Sequence, residues 1–166
     1  MSLIVEDGTG LATAEAYVSV SDLKACRSRG GLTIPAGTTD ADLELALIRA
    51  TAAIDGLFGN QWPAESFRAA AGQALDWPRS YAWDKDWYPL TGVPAGVKSA
   101  TCEAALVEIN SVGALTKKAE TGIKSDTTGP ITTVYAGATR ANATIYPAIK
   151  QALARIVRGG SLAGRR

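Results

Sequence analysis

A chain of 166 residues is long enough for one domain with a real core, and 46% apolar against 20% charged residues is an ordinary globular composition. A net charge of +1 selects no partner, and the absence of histidine removes the commonest general base, any Ser–His–Asp triad and most zinc sites. No enzymatic activity, metal or cofactor is therefore expected.

Residues 1–18 read as an extended, partly ordered arm, because Gly8 and Gly10 interrupt regular structure. Met1 to Gly10 carries neither a basic nor an apolar leader segment, so no export signal is expected. The first helix is predicted over about Ser19–Arg29, capped by Ser19 or Ser21 and ended by Gly30–Gly31. The second is the clearest. Thr39 is a good N-cap, and Asp40, Asp42 and Glu44 suit the positive end of the helix dipole. Leu43, Leu47, Ala50, Ile54, Leu57 and Phe58 recur at steps of three and four, which makes one core-facing stripe that stops at Gly59.

Residues 59–93 are predicted to be irregular and contain all four tryptophans, Trp62, Trp77, Trp83 and Trp87. Tyr81, Tyr88, Pro63, Pro78 and Pro89 lie among them. Aromatic faces of this kind can stack nucleobases or a sugar. The simpler role is to pin a long loop onto the helices, and the mixed charges of Arg79, Lys85, Asp76, Asp84 and Asp86 favour that role over a DNA platform.

The third helix is predicted from about Pro94 to Val112. Two apolar rows, one through Val97 and Ala104 and one through Cys102 and Ile109, suggest burial on more than one side. Cys26 and Cys102 each sit among alanines in a predicted helix and read as small apolar residues, a pair too sparse for a secreted disulfide scaffold. Residues 114–144 are rich in Thr, Gly and Ala, and Ile123 to Tyr135 around Gly129–Pro130 reads as a β-hairpin or extended arm. A lone hairpin is marginal, so Ile131, Val134 and Tyr135 are candidates to add to a neighbouring subunit's strands.

The fourth helix is predicted over about Pro147–Arg158, with an Ile149, Leu153 and Ile156 stripe, ended by Gly159–Gly160; residues 159–166 read as a flexible basic tail. All sixteen acids lie at or before Asp126, whereas the last forty residues carry Arg140, Lys150, Arg155, Arg158, Arg165 and Arg166. Such an end can meet nucleic acid, an acidic protein surface or a membrane, or be a solvated terminus. No stretch approaches the roughly 18 apolar residues of a membrane span.

No constellation for chemistry emerges. Asp40, Asp42 and Glu44 lack the glycine and distal glutamate of a calcium loop and read as a charged first helical turn. Asp84 and Asp86 read as loop solvation, and Gly8-Thr-Gly10 is too short for a phosphate loop. The expected fold is mainly α: one domain over residues 1–166, a bundle of about four helices with a long aromatic-rich loop and a protruding hairpin or arm.

Several strings stand in a specific order. Leu3-Ile-Val-Glu-Asp-Gly-Thr-Gly-Leu11 is followed by Ala16-Tyr-Val-Ser-Val20, Ala46-Leu-Ile-Arg-Ala-Thr51, Gln73-Ala-Leu-Asp-Trp-Pro-Arg79 and Val93-Pro-Ala-Gly-Val-Lys-Ser-Ala-Thr-Cys-Glu-Ala104. Ile123-Lys-Ser125, Gly129-Pro130 and Tyr146-Pro147 come later. Together they resemble a family of small phage and prophage proteins labelled DnaT-like single-stranded DNA-binding proteins, which is similar to the head–tail connector (adaptor) proteins of long-tailed phages. The resemblance covers nearly the whole chain. It implies a structural virion protein made in the host cytoplasm and placed at the head–tail interface. It further implies a homo-oligomeric, dodecameric ring between the portal protein and the next tail or stopper protein, with DNA passing through the channel without sequence-specific binding. On that reading Lys150, Arg155, Arg158, Arg165 and Arg166 face the portal or the DNA. The other implied role is single-stranded DNA binding. Neither role brings catalytic residues. A compact chain of about 15 Å radius of gyration cannot enclose a duplex alone, so a channel role requires oligomerisation.

Overall fold

The computed structural model describes residues 3–30, 33–116, 125–128, 131–134 and 146–157. Among them four α-helices dominate: α1 (Val20–Arg29), α2 (Asp40–Phe58), α3 (Ala95–Asn110) and α4 (Pro147–Leu153). Two small antiparallel pairs complete the fold, β1 (Phe67–Arg68) with β2 (Arg79–Ser80), and β3 (Ser125–Thr128) with β4 (Ile131–Val134). The mainly α expectation holds.

Local chemistry sets the helix starts. The Ser19 hydroxyl accepts the Asp22 amide at the head of α1. At α2, Thr39 and Asp42 form a reciprocal capping box: the Thr39 hydroxyl accepts the Asp42 amide at 3.3 Å and the Asp42 carboxylate accepts the Thr39 amide at 2.9 Å. The Thr39 hydroxyl, followed by its amide, holds the Asp42 carboxyl below the usual carboxylate range. The acids of this turn thus serve helix initiation.

The apolar stripe of α2, from Leu43 to Phe58, packs against α3 as the central helix pair. The α3 helix buries Val97, Ala100, Ala104 and Ala105, and these small residues permit the close approach. It begins after Pro94 and ends at Asn110, shorter than expected. The buried Glu108 carboxylate accepts the amides of Gly113 (2.7 Å) and Leu115 (3.1 Å), so the chain turns away there. The α4 helix lies across α3 at Gly96, where an added Cβ would come within 2.6 Å of the Ala152 carbonyl oxygen. Pro147 occupies its first turn. The helix ends at Leu153, and residues 154–156 continue as turns.

The amino-terminal segment differs from the expected arm. Its backbone closes on itself through Glu6–Ala16 and Glu15–Ile4 hydrogen bonds, and Ala14, Ala16, Tyr17 and Val18 are buried. The cause is Glu6. Its buried carboxylate accepts the amides of Gly8, Gly10 and Leu11 at 2.8–2.9 Å, which curls the segment into a compact loop.

The β3–β4 pair falls where a hairpin is expected, with Ser125 opposite Val134 and Thr128 opposite Ile131. Ile131 and Val134 therefore lie on β4; Tyr135 and residues 159–166 lie outside the described residues.

Candidate functional site

The aromatic-rich segment divides into an inward and an outward half. Trp62 and Trp77 are buried, with ring centroids 5.7 Å apart in an edge-to-face arrangement, and Phe58 of α2 extends the stack. These rings do pin the loop. The Trp62 indole donates to Asp76 at 3.0 Å, and the Asp76 amide donates to Asp55 of α2 at 3.0 Å. Buried Gln73 donates to the carbonyls of Leu75 and Pro78, at 2.7 and 3.0 Å. The Arg79 guanidinium donates to the Ser66 hydroxyl and carbonyl, each at 2.7 Å, locking β2 to the residue that precedes β1.

The other rings are left outside. Phe67, Tyr81, Trp83, Trp87 and Tyr88 are 55%, 70%, 44%, 78% and 69% exposed. Leaving large aromatics in water forgoes burial energy that the core could have taken, so a cluster of them makes this face the candidate contact surface. Phe67 and Tyr81 lie 5.4 Å apart with their planes tilted by 37°. Tyr81 (φ 55°) and Trp87 (φ 65°) are the non-glycine residues of positive φ among the described residues. A bulky side chain in the left-handed region costs on the order of 1–2 kcal/mol, and such strain clusters where a side chain must be aimed. Both strained residues are outward-facing rings of one surface.

Asp84 organises that surface. Its carboxylate accepts the amides of Asp86 (2.9 Å) and Tyr88 (2.8 Å), while its own amide donates to the Tyr88 carbonyl at 2.9 Å. The Leu90 amide donates to Ala82 at 2.8 Å, and Trp83 bridges Pro89. Residues 82–90 therefore form a tight, self-bonded loop. The expectation that Asp84 merely solvates a loop is corrected: its carboxylate builds the turn that displays Trp83 and Trp87.

The end of α4 closes the surface into a cleft. The Lys85 amide donates to the Arg155 carbonyl at 3.1 Å, and buried Ile156 anchors the turn. A cleft of about 340 Å³ results, lined by Tyr81, Trp83, Trp87, Lys85 and Arg155, with Glu65 and Asp84 at its walls. The aromatic and basic features, far apart in the chain, meet here. Sequence reasoning kept them separate because no local pattern brings Arg155 to the loop.

Of the predicted basic residues, Arg155 is exposed in the cleft, Lys150 is exposed on α4 without lining it, and Arg158, Arg165 and Arg166 lie outside the described residues. A second groove of about 370 Å³ runs between α2 and the end of α3, past Leu45, Arg49 and Val112. Among the described residues no group of three His, Cys, Asp or Glu could hold a metal ion, and no helix is long and apolar enough to cross a membrane. Cys26 and Cys102 are free; burial, and then the neighbouring Cys26 thiol, push the Cys102 thiol up to about 12, so it is inert as a nucleophile.

A family model described as "Putative DnaT-like ssDNA binding protein" matches residues 1–166. No curated protein and no solved structure matches the chain.

Proposed function

The chain belongs to the DnaT-like ssDNA binding protein family, and from that membership we propose that it binds single-stranded DNA, with the aromatic cleft as its contact face. The observation that carries the placement is the Lys85–Arg155 hydrogen bond, which seats a cation of the α4 end beside the exposed rings of Trp83 and Trp87. Single-strand binding without sequence readout needs stacking faces and nearby cations. A duplex keeps its bases stacked on one another and offers these rings little.

Tryptophan fluorescence tests this reading. A thymidine 20-mer is expected to quench emission saturably, and a blunt duplex of the same length is not. The Trp83→Ala/Trp87→Ala protein is expected to bind at least about tenfold more weakly, since stacking contributes roughly 1–3 kcal/mol per base. No saturable response to the single strand sinks the proposal.

A head–tail connector ring seated on a portal protein is a separate proposal. It rests on the ordered motif strings alone. Light scattering of the protein with its portal during size exclusion tests it, a discrete ring-sized complex being the supporting result.

A further inference from the structure

Among the described residues that line the cleft, the charges cancel. Lys85 and Arg155 stand against Glu65 and Asp84 within the same walls. Two other guanidiniums of the aromatic-rich segment are engaged by the protein itself: Arg68 pairs with Asp76 at 3.3 Å, and Arg79 donates to Ser66. The rings, by contrast, face solvent. Trp87 and Tyr81 are 78% and 70% exposed and held in left-handed backbone conformations, and the turn that carries Trp87 is fixed by four hydrogen bonds to or from Asp84. A surface selected by phosphates would have the opposite design, with cations in excess and the rings incidental.

We infer that the cleft recognises the unpaired base and not the phosphate backbone, taking bases by stacking on Trp83 and Trp87 at near-zero local charge. This rests on the single-strand reading above. Two consequences separate it from an electrostatic groove. First, a strand without bases has no ligand for the site. Second, few counterions are released on binding. Two cations meeting two phosphates give a logarithmic salt slope of about −1.4, or about a sevenfold loss of affinity for a fourfold rise in salt.

The test uses the full chain and two probes, a thymidine 20-mer and the same 20-mer with every base replaced by an abasic tetrahydrofuran sugar, with the thymidine 20-mer read at both 50 and 200 mM NaCl. Anisotropy of a 5′-labelled strand reads binding in each. The expected results are at least about a tenfold weaker affinity for the abasic strand, and less than about a sevenfold loss between the two salt concentrations. Equal binding of the abasic strand, or a larger salt loss, overturns the inference while leaving single-strand binding standing. Failure of every strand to bind overturns both.

Discussion

The Tyr17 hydroxyl lies 2.7 and 2.9 Å from the two carboxylate oxygens of Asp55, to which it donates, and it accepts the Trp77 amide at 3.1 Å. One phenol thereby joins the amino-terminal segment, α2 and the aromatic loop. Burial pushes the Asp55 carboxyl up to about 6, against the lowering effect of the bonds from Tyr17 and the Asp76 amide. Burial and the adjacent Asp55 charge also raise the Tyr17 phenol, which keeps its proton and stays the donor.

Stability should depend on pH through this pair. The native carboxyl holds its proton more tightly than the unfolded one, whose value is 3.8. Its contribution therefore grows as pH falls through about 6 and is complete below the unfolded value. At about 1.4 kcal/mol per unit the contribution reaches at most roughly 3 kcal/mol. Other carboxylates titrate in the same range, so the informative quantity is the melting temperature of the natural protein minus that of Asp55→Asn. That difference is expected to rise between pH 7 and pH 4.5. A flat difference would remove Asp55 as the source.

Glu6 is predicted to be the keystone of the amino-terminal loop. Glu6→Ala leaves three inward amides, those of Gly8, Gly10 and Leu11, without their acceptor. A loss of about 3 kcal/mol is expected in urea unfolding, with Glu6→Gln recovering part of it. An effect below about 1 kcal/mol would mean that water replaces the carboxylate at little cost.

Gly96→Ala tests the seat of α4. The added methyl would meet the Ala152 carbonyl oxygen at 2.6 Å and Ile156 Cδ1 at 2.8 Å. One of these is backbone, so the helix must move, at a cost of about 1–3 kcal/mol. Hydrogen exchange in residues 149–157 should accelerate, and single-strand affinity should fall as Arg155 leaves the cleft. Unchanged exchange and affinity would show that α4 does not depend on this crossing.

Glu65→Lys probes the charge of the cleft from the other side. Glu65 is exposed at the cleft wall, so the change should be tolerated by the fold. Replacing an acid by a cation is expected to tighten binding of a thymidine 20-mer at 50 mM salt and to steepen the salt slope by about 0.7 for the added phosphate contact. An unaltered slope would place the strand away from Glu65.

The helices were legible because their determinants are local. Thr39 and Asp42 cap α2 within a single turn, and the Leu43–Phe58 stripe shows at helical period. The paired β3 and β4 strands were legible for a similar reason, strand propensity around Gly129–Pro130. The folded-back amino-terminal segment is not legible in the same way, because a buried glutamate that gathers three amides has no periodic signature.

The sorting of the aromatic segment belonged to the tertiary structure. In sequence, Trp62, Trp77, Trp83 and Trp87 look alike, and no period separates them. Trp62 and Trp77 are held inward where Asp76 accepts the Trp62 indole, Tyr17 accepts the Trp77 backbone amide and Asp55 of α2 accepts the Asp76 amide, whereas Trp83 and Trp87 stay out because Asp84 closes a turn that lifts them away. The placement of Arg155 beside them follows from the crossing of α4 over Gly96, a contact between residues distant in the chain. Sequence by itself determined the helical class, the helix starts and the lack of recognisable catalytic motifs, because capping and hydrophobic period act within a few residues. Which rings meet solvent, and which cation joins them, was decided only by packing between distant segments, where burial energy is assigned.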